Sequence, residues 1–355
     1  MTNLSRFLSL SRNDWHKSIF LTLSALLSFI IANELGIHHA YWASMPVWVV
    51  TQPSRELLVG RGFYRLIGTA LGGIIGYLIV TSPLEPISKF ALLSISIALL
   101  TALTKVIRGI YSYATLMMAV TVTIVALPSL INPESAYDLM LSRLQCTFIG
   151  VCVVIALTFF LTPKHHEKVQ ILPKFRKNAV SEYIVQKKFQ RLFLNTTIVT
   201  LISLLLTYLT VKYGHHHFGE LMAFGMVVYA IILGTHENPR QSGFVILRGA
   251  LIGGIVGILY RIFIFPELLS HGMIYLSLLP FFFVGAIFRV SHLSLRGAID
   301  ANMAFLLIGQ PGVLEKTPAL FLAHVSALSF GAILITTYYY LTHQDQSESS
   351  KHRSP

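Results

Sequence analysis

The chain has 355 residues, 54% of them hydrophobic and 12% charged, with a mean hydropathy of +0.67 and a formal net charge of +12. A soluble domain carries about 25% charged residues, so a soluble enzyme, a DNA-binding module and a disordered hub are excluded. In so apolar a chain the surplus of Lys and Arg points to loops held on the inner face of a membrane, not to nucleic acid.

Apolar runs between polar breaks predict an all-α integral membrane protein of about twelve transmembrane helices. In chain order they are 18–35, 39–52, 62–81, 88–106, 111–130, 138–162, 190–212, 218–236, 244–264, 271–289, 296–310 and 318–341. The second and eleventh are the weakest, and either could be re-entrant or tilted. No small-residue cleavage site closes the first run, so it reads as a retained helix. With the N-terminus inside, 22 of the 27 Lys and Arg fall in cytoplasmic segments. Lys89, Arg143, Lys212, Arg261 and Lys316 remain on or near the outer side. Both termini are then cytoplasmic. A first six-helix unit covers 1–163, a basic linker 164–191, a second unit 192–341 and a tail 342–355. The linker either touches anionic lipid or a partner, or is an ordinary positive loop.

An internal duplication supports that division. GTALGGIIG at 68–76 recurs as GALIGGIVG at 249–257, so Gly68, Gly72, Gly73 and Gly76 map onto Gly249, Gly253, Gly254 and Gly257. The same offset carries Arg108 onto Arg289, Arg143 onto His324, and Gly150 onto Gly331. A nearby offset carries Gly36, His38 and His39 onto Gly214, His216 and His217. Two units of six helices both start inside, so they are parallel repeats with a solute path expected between them. Small residues at i, i+4 and i+8 open a groove for a second helix, which a substrate could also touch.

Residues 41–79, YWASMPVWVVTQPSRELLVGRGFYRLIGTALGGIIGYLI, form the most specific segment. With Tyr41-Trp42-Ala43, Pro53-Ser54 and Arg65-x-x-Gly68-Thr69 followed by Gly72 and Gly76, the chain resembles the fusaric acid resistance and aromatic acid exporter superfamily. The sixth run, Arg143 to Pro163 with Gly150, also resembles the end of that module. The resemblance implies an inner-membrane secondary efflux component for aromatic or other organic anions, often working with a periplasmic adaptor of the membrane-fusion type. Two departures stand out: the short connection between halves, and Gly219-Glu220-Leu221 where the second half would carry Tyr-Trp-Ala.

Polar residues inside apolar runs are functional candidates. Tyr41 and Trp42 either belong to an interfacial aromatic belt or form a wall for a ring-bearing substrate. Arg65, Arg143 and Arg248 are candidate anion contacts, since a guanidinium can hold a carboxylate through two parallel hydrogen bonds. Arg143 could instead snorkel to the outer interface. Asp300, with Asn302 close by as a candidate substrate contact, is either a proton carrier or the partner of Arg296 four residues earlier. Glu220 and His324 are further candidates for proton coupling. His215-His216-His217 sit on one short loop and do not converge as metal ligands require. Cys146 and Cys152 point to different sides of one helix. No cofactor, nucleotide-binding or hydrolase motif is present, so an enzyme and an ATP-driven pump are not expected. A passive organic-anion channel, as in the plant malate channels that resemble the same superfamily, and a membrane scaffold are the competing readings.

Overall fold

A computed structural model describes residues 10–342 apart from 53, 108, 131, 161, 163–178, 215, 268–269, 292–294 and 314–317. The side chains of 179–182, 184, 216–217, 267, 295–296, 318–321 and 323–324 also lie outside the described residues. Arg296, His324, the triple histidine and most of the linker are therefore not placed.

The first half builds α1 (Arg12–Glu34), a 3-10 turn (Ala40–Ser44), α2 (Met45–Val50), α3 (Arg55–Thr81), α4 (Pro86–Val106), α5 (Tyr111–Ser129) and α6 (Ser135–Thr158). The second builds α7 (Ala179–Lys212), α8 (His216–Thr235), α9 (Pro239–Leu259), α10 (His271–Val290), α11 (Leu295–Gly309) and α12 (Pro318–Thr342). The start signals are local. Ser11 and Asp14 form a capping box ahead of α1, and Ser54 Oγ accepts from the Leu57 amide at the start of α3. Within the helices, hydroxyls such as those of Thr22, Ser28, Thr101, Thr200 and Ser203 donate to the carbonyl four residues back. Each of these five hydroxyls thus has a partner without water.

The chain is an all-α membrane protein. Ten of the described helices are long and apolar enough to cross a bilayer, and a shorter apolar helix covers Gly297–Gly309. Leu71, Ile74, Leu78, Leu201, Leu205, Ile252 and Ile255 stand exposed on their surfaces, as lipid-facing helices require.

The run 39–52, expected as a weak span that could be re-entrant or tilted, is broken. His39 takes a left-handed conformation (φ 57°), five residues form a 3-10 turn, and Pro46 sits in the first turn of the six-residue α2. Ala40 to Val47, Trp48 and Val50 are buried throughout. Irregular backbone is tolerated at membrane depth only when protein encloses it. Here α1, α3, α6 and α11 do so, and Ser44 Oγ donates to the Ala25 carbonyl at 2.7 Å.

Packing in the two halves follows one scheme. A side chain at Gly68, Gly72 or Gly76 would strike the backbone of α5, at Ala114, Met118 and Val122. One at Gly249, Gly253 or Gly257 would strike α11, at Gly297, Ala301 and Phe305. Likewise Gly150 of α6 abuts the Ala43 carbonyl and Gly331 of α12 the Met222 carbonyl. Between halves, α1 packs on α10 while its counterpart α7 packs on α4. The pairs α5–α8 and α2–α11 are reciprocal in the same way.

Basic side chains cap carbonyls at or just past helix C-termini at both ends of the bundle, two at one end, where Lys89 donates to the Val80 carbonyl and Arg261 to the Val313 carbonyl, and four at the other. Arg55 donates to the Thr162 carbonyl, Lys105 to Thr235, Arg289 to Trp48 and Thr51, and Arg191 to Thr342. Cations there offset the partial negative charge of the orphan carbonyls. At the opposite end Asn33 and Glu34 of α1 hydrogen-bond the Tyr275 hydroxyl of α10.

Candidate functional site

Two buried guanidiniums form the centre of the site. Arg65 is ten residues into α3, about 15 Å from its start at a rise of 1.5 Å per residue. It is 2% exposed and donates from Nη1 to the Tyr113 hydroxyl at 2.7 Å and to the Met117 thioether at 3.3 Å. Arg143, on α6, is 5% exposed and lies 5.3 Å from the centre of the Trp42 ring. Its one recorded hydrogen bond runs from Nη1 to the Met45 sulfur at 3.7 Å. A thioether is a weak acceptor.

The two arginines are close enough to repel one another, and Tyr41, Tyr113 and Cys146 lie within the electrostatic reach of Arg143. The Nε of each arginine is buried without a hydrogen-bond partner. Among the described residues no carboxylate pairs with either one. A buried, unneutralised cation costs several kcal/mol, and two side by side cost more.

The broken segment supplies the aromatic lining. Its 3-10 turn carries Tyr41 and Trp42 into the protein, and both are buried. Both side chains pack against protein, and the Arg143 guanidinium lies against the Trp42 ring. His39 stacks on Trp42 at 4.7 Å, and Tyr41 meets Trp42 edge to face at 6.1 Å. The left-handed backbone at His39 turns the chain inward. The close approach of Ala43 to Gly150 holds it against α6.

Arg248 is not part of this arrangement. It lies on the exposed side of α9, while Ile246, at the position duplicating Arg65, is buried. The glycine offset aligns Arg65 with that isoleucine, so the arginine beside Gly249 has turned to another face. Asn302 is buried and donates to the Gly285 carbonyl at 3.2 Å. A side chain at Gly285 would collide with it, so Asn302 fills a slot between α10 and α11.

Asp300 is partly buried on α11, where its charge acts on Tyr229 of α8. Glu220 is partly buried near the start of α8. These acids belong to the second half and the arginines to the first. Among the described residues no group of three His, Cys, Asp or Glu could hold a metal.

Two contributors were not singled out from the sequence. Tyr113 follows a glycine turn and looks like an ordinary helix start. Arg61 was counted with a loop, yet α3 begins at Arg55 and places Arg61 one turn before Arg65. Four-residue spacing on a helix was the available signal.

No curated protein and no solved structure matches the chain. A family model does, over residues 14–174, and that match spans the Tyr-Trp-Ala and Arg-x-x-Gly-Thr segment together with Arg65, Tyr113 and Arg143. Residues 14–174 are thus similar to the fusaric acid resistance protein family.

Proposed function

We propose that the chain is a secondary transporter that exports small organic anions, aromatic carboxylates among them, across a bacterial inner membrane. One observation carries this reading: Arg65 and Arg143 are buried together with unpartnered Nε groups and no acidic partner among the described residues. An incoming carboxylate would neutralise them and accept hydrogen bonds from them. Trp42, already beside Arg143, would face the ring of an aromatic anion, and Tyr41 would stiffen it. A buried dry site strengthens each of these interactions.

The path lies between two parallel six-element repeats with both termini in the cytoplasm. The matched glycine contacts and reciprocal helix pairs support the repeats. The larger number of capping basic side chains at one end supports the orientation. The broken second element supports transport, because interrupted helices at mid-membrane commonly line substrate sites. An adaptor of the membrane-fusion type would receive the anion at the opposite end.

Proton entry supplies the driving force in this proposal. Asp300 is the leading carrier, with Tyr229 as its neighbour, and Glu220 and His324 are the alternatives. Uptake of labelled benzoate into inverted vesicles tests the proposal. Wild type should accumulate it against a concentration gradient when the vesicle lumen is acidic. Arg65→Gln and Arg143→Gln should each lower uptake at least tenfold at equal protein level. Uptake independent of the proton gradient would make the chain a channel. No uptake by wild-type protein of benzoate or of an aliphatic carboxylate would end the transport reading.

A further inference from the structure

A cavity of about 470 Å³ opens at the more basic end of the bundle, between α3, α4, α5 and α8. Gln52, Arg61, Thr104, Ser112, Tyr113 and Thr235 are among its lining residues, and no acidic side chain is. The volume lies within the range of small-molecule sites. The Arg61 guanidinium sits 4.5 Å from the centre of the Tyr113 ring, and its Nε is buried without a partner. Arg289, near enough to act on Arg61 electrostatically, adds positive potential while it caps the α2 carbonyls.

The position of Tyr113 links this cavity to the deeper site. Its ring face packs under Arg61, and its hydroxyl accepts from Arg65. The two arginines are four residues apart on α3, about 6 Å along the axis. One phenol therefore separates a cation in an open cavity from a cation in a closed site.

We infer that this cavity is a second binding site for a small organic carboxylate, in series with the Arg65–Arg143 site, with Tyr113 as the partition between them. The Arg61 guanidinium holds the carboxylate at the cavity, and the Thr104 hydroxyl, which donates to the Thr101 carbonyl, turns to join it. When Tyr113 swings aside, the anion moves one helical turn to Arg65 and its Nε. A guanidinium is available at each stage, so the anion is never left without a cation as it leaves water. The identity of the anion rests on the transport reading above, but the existence of the site does not.

The test uses the full chain in lipid nanodiscs with Ser112→Cys as reporter. Modification of residue 112 by an anionic methanethiosulfonate, sulfonatoethyl, is compared with that by the uncharged methyl reagent, using mass spectrometry of the peptide. Adding Arg61→Gln should lower the anionic-to-neutral rate ratio at least fivefold, with the neutral rate itself reporting that the cavity is intact. Adding Arg65→Gln should leave the ratio within twofold. Benzoate at millimolar concentration should slow modification in the Arg65→Gln protein, because the outer site remains. An unchanged ratio in the Arg61→Gln protein overturns the inference. So does loss of benzoate protection on Arg65→Gln, which would mean a single site. Labelling needs no transport, so a chain that moves no benzoate can pass this test and a working transporter can fail it.

Discussion

Arg143 lies under an indole ring with a sulfur as its recorded acceptor. Such a residue lowers stability, because desolvating a cation without a counter-ion is not repaid by a weak acceptor. Replacing it by an apolar side chain of similar length should therefore stabilise the protein while removing function. Arg143→Met is expected to raise the thermal midpoint by about 2–4 °C, the equivalent of roughly 1 kcal/mol, and to abolish the further rise that benzoate gives in wild type. A thermal melt with and without benzoate measures both. A large fall in the midpoint would mean that the guanidinium is held by partners it needs for folding. Asp300 offers a second prediction at this scale. Asp300→Asn should reach the membrane in normal amount and keep downhill benzoate flux, but lose accumulation driven by a proton gradient. Low protein level would instead point to a structural pair with Arg296, and Arg296→Gln added to it should then restore the level.

At the scale of helices, glycines decide how closely backbones meet. Gly72 and Gly253 each face a carbonyl of the neighbouring helix, at Met118 and Ala301, so that any side chain must displace main chain. Gly72→Leu and Gly253→Leu should each reduce folded protein to a small fraction of wild type, measured by fluorescence-detected size exclusion. Normal recovery of both would show that α3–α5 and α9–α11 do not rely on close approach. This packing was legible in the sequence, because the glycines repeat at helical spacing and recur in register. The break in the second element was legible only in part, as the weakness that left the run 39–52 open to a re-entrant or tilted reading. A run such as 39–52 is apolar whether it is one span or a turn and a short helix enclosed by protein. Only Pro46 and the left-handed backbone at His39 distinguish the two. Arg65, Arg143, Tyr41 and Trp42 stand out in the sequence because polar or aromatic residues in an apolar run need a reason, and the structure buries all four. Arg61 and Tyr113 escaped because the apolar run starts at 62, about two turns after α3 itself begins at Arg55, and because tyrosine at a helix end is commonplace.

Across the whole molecule, the halves share a packing scheme but divide the chemistry. The first holds the buried arginines and the aromatic lining, and the second holds Asp300 and Glu220 on unbroken helices. Reciprocal contacts join the halves, α1 with α10 and α7 with α4. Sidedness is tested by cysteines at Tyr183 and Tyr213, exposed positions toward opposite ends of α7. An impermeant thiol reagent added outside should label only the cysteine at 213. Labelling of the one at 183 from outside would reverse the orientation and make the arginine cavity face outward.

Titration calorimetry of benzoate into the purified chain tests most directly whether Arg65 and Arg143 hold an organic anion. Wild-type protein is expected to bind benzoate, and Arg65→Gln and Arg143→Gln, each folded by size exclusion, should weaken the tightest binding event at least tenfold. Losing one charge-assisted hydrogen bond to a buried carboxylate corresponds to about 1.5–3 kcal/mol. Unchanged affinity in both folded variants would contradict the account.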